Sequence, residues 1–128
     1  MFPRLDVEIV DTPFDPDAQE RVVQVRTTTD GQQLYRVFIY LTGRDLPFVR
    51  SVTYQLPSAI ADPPVRTVVR SPAARDCRID LWVRGSFEIR AVVEDLKDGT
   101  HELEHLLQFG QYFDEKRFNA EGLKLRMA

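Results

Sequence analysis

Apolar residues in this chain recur at every second position, in runs of strand length. Phe87, Ile89, Ala91 and Val93 show it best, separated by Glu88, Arg90 and Val92. Successive side chains of a strand point to opposite faces, so these four share one side, whereas a helix would scatter them. The same alternation opens the chain at Leu5, Val7 and Ile9, until Asp11-Thr12-Pro13 and Phe14-Asp15-Pro16-Asp17 break it. Val23 and Val25 repeat it and lead through Thr27-Thr28-Thr29 into Asp30-Gly31, a hairpin signal.

The remaining segments agree with that reading. Tyr35 to Leu41 is a nearly continuous β-branched and aromatic run, the composition of a strand buried on both faces. Val49 to Leu56 places Val52, Tyr54 and Leu56 on one face. Pro57, Pro63 and Pro64 make the next stretch irregular. Val65–Arg70 and Arg78–Val83 are short strands around a Ser71-Pro72-Ala73 break, and Gly85 marks a turn. Short strands at this spacing, with prolines and glycines between them, predict an all-β sandwich. There is no internal repeat and no linker. Residues 111–128 are polar and less patterned, which leaves a short helix, an added edge strand or a partly ordered tail.

One segment resists the pattern. His101-Glu102-Leu103-Glu104-His105 matches the H-E-x-x-H signature of zinc hydrolases, and these are the chain's two histidines. On a helix, two imidazoles four residues apart grip one zinc while the glutamate activates water. Thr100 as N-cap, Leu103, Leu106 and Leu107 at helical spacing and Gly110 as a stop favour that helix. On a strand the same side chains lie roughly 13 Å apart at 3.3 Å per residue, too far for a shared zinc. Alternation from His101 to Phe109, following Asp98-Gly99, favours the strand. Local pattern leaves both open.

Composition narrows the classes. At 128 residues the chain has the size of one domain and can bury a core without disulfides or metals. A formal charge of −3 gives no electrostatic footprint for nucleic acid. No apolar run nears the ~20 residues that span a bilayer, and the first residues lack the apolar core of a signal peptide. A single cysteine, Cys77, forms no internal disulfide, which fits a reducing cytoplasm. As a thiol it reads as incidental or partly buried, not as a nucleophile.

Two stretches resemble the YEATS domain family. Tyr35-Arg36-Val37-Phe38-Ile39-Tyr40-Leu41, then Leu46-Pro47-Phe48-Val49-Arg50-Ser51-Val52-Thr53-Tyr54-Gln55-Leu56-Pro57, is similar to its aromatic-led strand followed by "I/V-x-x-V-x-F/Y-x-L-H". Trp82-Val83-Arg84-Gly85-Ser86-Phe87-Glu88-Ile89 resembles its Gly-aromatic-Gly-x-Phe-x-Ile turn into a strand. The order and spacing match best those of the prokaryotic branch, over roughly residues 20 to 110. The resemblance implies an immunoglobulin-like antiparallel β-sandwich of about 7–8 strands over 1–110, with 111–128 as a C-terminal tail. It also implies a strand at His101–Phe109, so the zinc site fails on distance, and the two histidines become partly exposed residues pairing with Glu102 or a cross-strand neighbour.

The eukaryotic YEATS domains, similar in fold, read acylated lysine between two loops, where stacked aromatics hold the flat acyl group. Here Pro57, Ala59 and Ile60 stand where the first motif has histidine, serine and phenylalanine. Val83 and Arg84 stand where the turn has its first glycine and its aromatic; Trp82 is two residues out of register, and Ser58 and Ser86 are the nearby hydroxyls. An arginine in the slot suits an anion better than a neutral acyl-lysine. The expected contact surface is Ser58, Ile60, Trp82, Arg84, Gly85 and Ser86, against the plainer alternative of a core tryptophan beside an exposed arginine. No catalytic residue, metal or cofactor is expected. The resemblance points to a non-catalytic interaction or sensor module of a bacterial conflict or immunity system, cytoplasmic, with a protein partner or a small ligand, and with no nucleic acid or membrane. The alternatives are an acyl-lysine or small-ligand binder with a rearranged slot, and a structural sandwich subunit of an assembly docking through its tail.

Overall fold

The computed structural model describes residues 4–107 and, as backbone, residues 124–127. Nine strands follow in order: β1 (Glu8–Thr12), β2 (Val22–Thr27), β3 (Gln33–Thr42), β4 (Val49–Gln55), β5 (Val65–Val69), β6 (Ile79–Val83), β7 (Glu88–Asp95), β8 (Thr100–Leu106) and β9 (Lys124–Met127). A 3₁₀ turn at Leu46–Phe48, with Pro47 in its first turn, leads into β4. One sheet has the order β1-β3-β2-β9, with β6 also paired to the long β3; the other has the order β5-β4-β7-β8.

Alternation becomes burial as expected. On β7, Ile89, Ala91 and Val93 are buried, as is Phe87 just before it, while Glu88 and Arg90 are exposed. On β4, Val52 and Tyr54 are buried and Leu56 continues the row. The stretch read as buried on both faces is so only from Val37 to Ile39; Tyr35 and Arg36 are half-buried. The disputed histidine segment is β8, a strand, paired antiparallel with β7 with Val93 opposite His101 and Ile89 opposite His105. That register overturns the helical alternative. The strand ends at Leu106, and the expected continuation through Gln108 and Phe109 lies outside the described residues. So does most of the 111–128 tail, apart from β9, whose backbone pairs in parallel with β2.

The chain divides into two compact units. The first holds Met1–Val10, Ile39–Ile79 and Phe87–Leu106; the second holds Asp11–Phe38, Asp80–Ser86 and Leu107–Ala128. The first unit contains the whole β5-β4-β7-β8 sheet, and its buried residues include Val49, Val52, Tyr54, Ile89 and Val93. Its chain start is fastened by a close approach at Gly43, where φ is +141° and an added Cβ would lie 2.7 Å from the Val7 Cα. Asp45 completes the fastening: its carboxylate accepts from the Asp6 N–H at 2.7 Å, and its own N–H donates to the Asp6 carbonyl at 3.0 Å. In the second unit β2 and β3 form a hairpin with Val23, Val25, Val37 and Phe38 buried.

Both hairpins signalled by Asp-Gly are present, with the same geometry and different use of the dipeptide. In β2–β3, the Thr28 N–H donates to the Gln32 carbonyl and the Gly31 N–H to the Thr28 carbonyl, with Gly31 at φ +85°. In β7–β8, the Asp95 N–H donates to the Gly99 carbonyl and the Asp98 N–H to the Asp95 carbonyl, with Asp98 at φ 64°. Each is a three-residue loop whose last residue is left-handed. Glycine fills that position in the first hairpin, and aspartate fills it in the second.

Candidate functional site

The first predicted loop lies in the first unit. After Gln55 the chain turns at buried Leu56, whose N–H donates to the Pro64 carbonyl at 2.8 Å and so closes the loop at its base. Inside it, the Ile60 and Ala61 N–H groups both donate to the Pro57 carbonyl, and Ala61 is buried as the anchor. Ser58 and Ile60 are left exposed on the outside of this turn.

The second predicted loop lies in the second unit, at the end of β6. Leu81 and Val83 are buried, which by alternation sends Asp80 and Trp82 to the other face. Trp82 is half-buried, and the Arg26 guanidinium from β2 lies over its ring, 5.2 Å from the centroid. In the same unit Arg36 donates to Asp80 at 2.8 Å and to the Gln24 side chain at 3.1 Å, and lies 4.9 Å from the Phe38 centroid. Trp82 is therefore neither a core residue nor a free platform: one arginine already stacks on it. Such a contact contributes about 0.5–1 kcal/mol at exposed sites. Arg84, Gly85 and Ser86 are exposed beyond it. The Asp30 carboxyl is held below its ordinary range, first by the Thr28 hydroxyl and in smaller part by the Arg84 charge.

Of the six predicted contact residues, Ser58 and Ile60 thus belong to one unit and Trp82, Arg84, Gly85 and Ser86 to the other. Of the last four, Arg84, Gly85 and Ser86 form one exposed turn, and half-buried Trp82 precedes it on β6. Arg26 was not among the expected residues. Its alternation on β2 with Val23 and Val25 puts it on the solvent side, but only the pairing of distant strands brings it to Trp82.

The first unit holds a tighter polar arrangement. Asp95, on the buried face of β7, is 2% exposed. Its Oδ1 accepts from the Lys97 N–H at 2.7 Å and the Gly99 N–H at 3.0 Å, and its Oδ2 lies 2.7 Å from His101 Nε2. The ring N–H of His101, then the two backbone donors, hold the Asp95 carboxyl below its ordinary range despite burial. Of the two expected histidine partners, Glu102 or a cross-strand neighbour, His101 takes the second: Asp95 lies on the neighbouring β7, at the mouth of the hairpin. An Asp–His pair is part of a nucleophilic triad. The groove of about 870 Å³ beside it, however, is lined by Arg4–Glu8, Arg44 and His101–Leu103, which include no hydroxyl or thiol.

Cys77 is buried in the first unit, its carbonyl accepting from the Tyr54 hydroxyl at 2.8 Å. Burial pushes its thiol up to about 11. Among the described residues no three His, Cys, Asp or Glu side chains converge as metal ligands. None of the described helices is long and apolar enough to cross a membrane.

Among solved structures, the chain is similar to the crystal structure of the yeast AF-9 homolog protein Yaf9. Identity is 16% over 80% of this chain and 64% of that one, with a TM-score of 0.51. It is also similar to the Yaf9 YEATS domain recognizing an H3K122suc peptide (15% identity, 83% and 77% covered, TM-score 0.50). A third is the Yaf9 YEATS domain bound to H3K27ac (16% identity, 83% and 78% covered, TM-score 0.50). The chain spans 64% of the first of these structures. At such identity the likeness carries the fold, an immunoglobulin-like β-sandwich, as the strand pattern and the resemblance predicted. No curated protein matches the chain. A family model described as the prokaryotic YEATS domain matches residues 35–108, from β3 to just past β8.

Proposed function

The chain belongs to the prokaryotic YEATS domain family, and on that premise we propose that it is a non-catalytic module that binds a protein or peptide partner through the Trp82–Ser86 turn. The observation that supports this most is the half-exposed Trp82 ring with Arg26 stacked on it and Arg84 exposed beside it. Aromatic and arginine side chains together are what partner surfaces use as anchors. Ser58 and Ile60 are proposed as further contacts from the first loop. The Yaf9 YEATS domain is seen recognizing an H3K122suc peptide and bound to H3K27ac. In this chain the ring is occupied by an arginine cation, so an acidic segment suits the surface better than a neutral acyl-lysine. We place the module in the cytoplasm, within a bacterial conflict or immunity system. We assign the binding domain to residues 1–110 and read 111–128 as an appended tail that ends in β9.

The test uses the Trp82→Ala/Arg84→Ala double variant, shown to be folded by its circular dichroism, against the partner recovered with the wild type. Loss of the partner is expected, and equal retention would remove this surface. The second reading, a rearranged acyl-lysine slot, is addressed by titrating acetyl- and succinyl-lysine peptides while following the fluorescence of Trp82, the chain's one tryptophan. No saturable shift is expected; a saturable one would favour that reading.

A further inference from the structure

β8 closes one side of its sheet, and among the described residues no strand pairs with it on the other side. The hairpin fixes which backbone groups that leaves open. Asp95 and Gly99 are joined by a hydrogen bond. Antiparallel pairs alternate between hydrogen-bonded and not, so Val93 with His101 and Ala91 with Leu103 continue the bonded set. The N–H and C=O groups of Thr100, Glu102 and Glu104 therefore point outward, along the open edge.

Beside this edge lies the groove of about 870 Å³, whose far wall is the fastened chain start at Leu5–Glu8. Its volume falls in the range of ligand clefts, about 300–1,000 Å³. The wall does not close onto β8, because Gly43 and Asp45 hold Asp6 and Val7 where they are. The two faces of β8 differ. His101 and Leu103 are half-buried on one, and Glu102 and Glu104 are exposed on the other. Across the groove Asp6 and Glu8 add carboxylates, and one of the two arginines there, Arg44, is 3.7 Å from Asp6. Arg90 approaches Glu104, at 3.8 Å.

We propose that this edge takes up an extended segment of a partner protein as an added strand, in which basic side chains alternate with apolar ones. The segment's backbone would pair with Thr100, Glu102 and Glu104, its basic residues would face Glu102 and Glu104, and its apolar residues would enter the groove beside Leu103. Main-chain pairing supplies the binding and the alternate side chains the selectivity. The same carboxylates exclude the occupant nearest at hand, a second copy of this edge, since Glu102 and Glu104 would then meet like charges. The site shares no residue with the Trp82 turn.

The test is fluorescence anisotropy of the full chain with a labelled short peptide alternating lysine and valine. Its controls are the same peptide N-methylated at every second residue and one alternating glutamate and valine. The basic peptide is expected to bind saturably, and the N-methylated and acidic ones roughly tenfold or more weakly. Glu102→Lys/Glu104→Lys, exposed positions that leave the fold intact, should invert the preference toward the acidic peptide. Trp82→Ala/Arg84→Ala should leave binding unchanged, which separates this site from the loop surface. Equal binding of the N-methylated peptide, no binding of the basic one, an unchanged preference in the charge-reversed variant, or loss of binding in the Trp82/Arg84 variant would each overturn the proposal.

Discussion

Two glycines show how one missing side chain can matter for different reasons. At Gly43 both conformation and space are committed: φ is +141°, and an alanine Cβ would fall 2.7 Å from the Val7 Cα. At Gly31 the conformation is left-handed at φ +85°, but nothing lies within 4 Å. Gly31→Ala is therefore expected to cost about 1–2 kcal/mol, the left-handed penalty alone. Gly43→Ala adds the displacement of backbone and should cost roughly 1–3 kcal/mol more. Urea midpoints of the two variants check the order, and equal losses would refute it. Asp95 carries the pH dependence at this level. Its folded carboxyl titrates below its ordinary value of 3.8, so its contribution is complete above that value and disappears as pH falls through the lower, folded one. The stability gap between wild type and Asp95→Asn should narrow as pH falls below about 4. A gap that stays constant into acid would show that the His101 contact is not what holds this carboxylate.

The two Asp-Gly hairpins are the sharpest lesson about single elements. The dipeptide announces a turn in both places, and in both the turn forms, but the left-handed residue is Gly31 in one and Asp98 in the other. In the second, the glycine's lack of a side chain serves a different purpose: a Cβ on Gly99 would lie 2.7 Å from Asp95 Oδ2. Gly99→Ala should thus be destabilising by about 1–3 kcal/mol although its backbone is not left-handed. In the Asp95→Ala background the same change should cost much less, which a double-mutant cycle in thermal denaturation measures. The strands themselves were legible because alternation is a local property: β2 to β7 lie within a residue or two of their expected bounds, whereas β1 begins at Glu8 instead of Leu5 and runs through Asp11-Thr12, the expected break, and β8 ends at Leu106. Asp95 was legible too, had the row Phe87, Ile89, Ala91, Val93 been extended one step. A carboxylate on that buried row must have a partner. Arg26 over Trp82, β9 beside β2 and the open edge of β8 were not readable. Each depends on which distant strands become neighbours, and nothing local in β8 marks it as the end of a sheet.

Among the described residues, four of the seven strand pairings join strands that are not consecutive in sequence. β4 pairs with β7, β3 with β6, and β2 with β9 from the far end of the chain. Closing such distances before any contact is gained slows folding, and refolding should take milliseconds to seconds, not microseconds. Stopped-flow fluorescence of Trp82 measures it, and a microsecond phase carrying the full amplitude would contradict the topology. Cys77 adds a consequence of another kind. The native thiol is wholly buried and pushed up to about 11, and the thiolate is the form that reacts with maleimides or disulfide reagents. A folded molecule at neutral pH should be inert to them, and an unfolded one should react at once. The chain's one sulfhydryl is thus an internal clock: the rate at which it is modified counts how often the structure opens. A second cysteine engineered at an exposed position would accept a probe selectively, with the native thiol left in place.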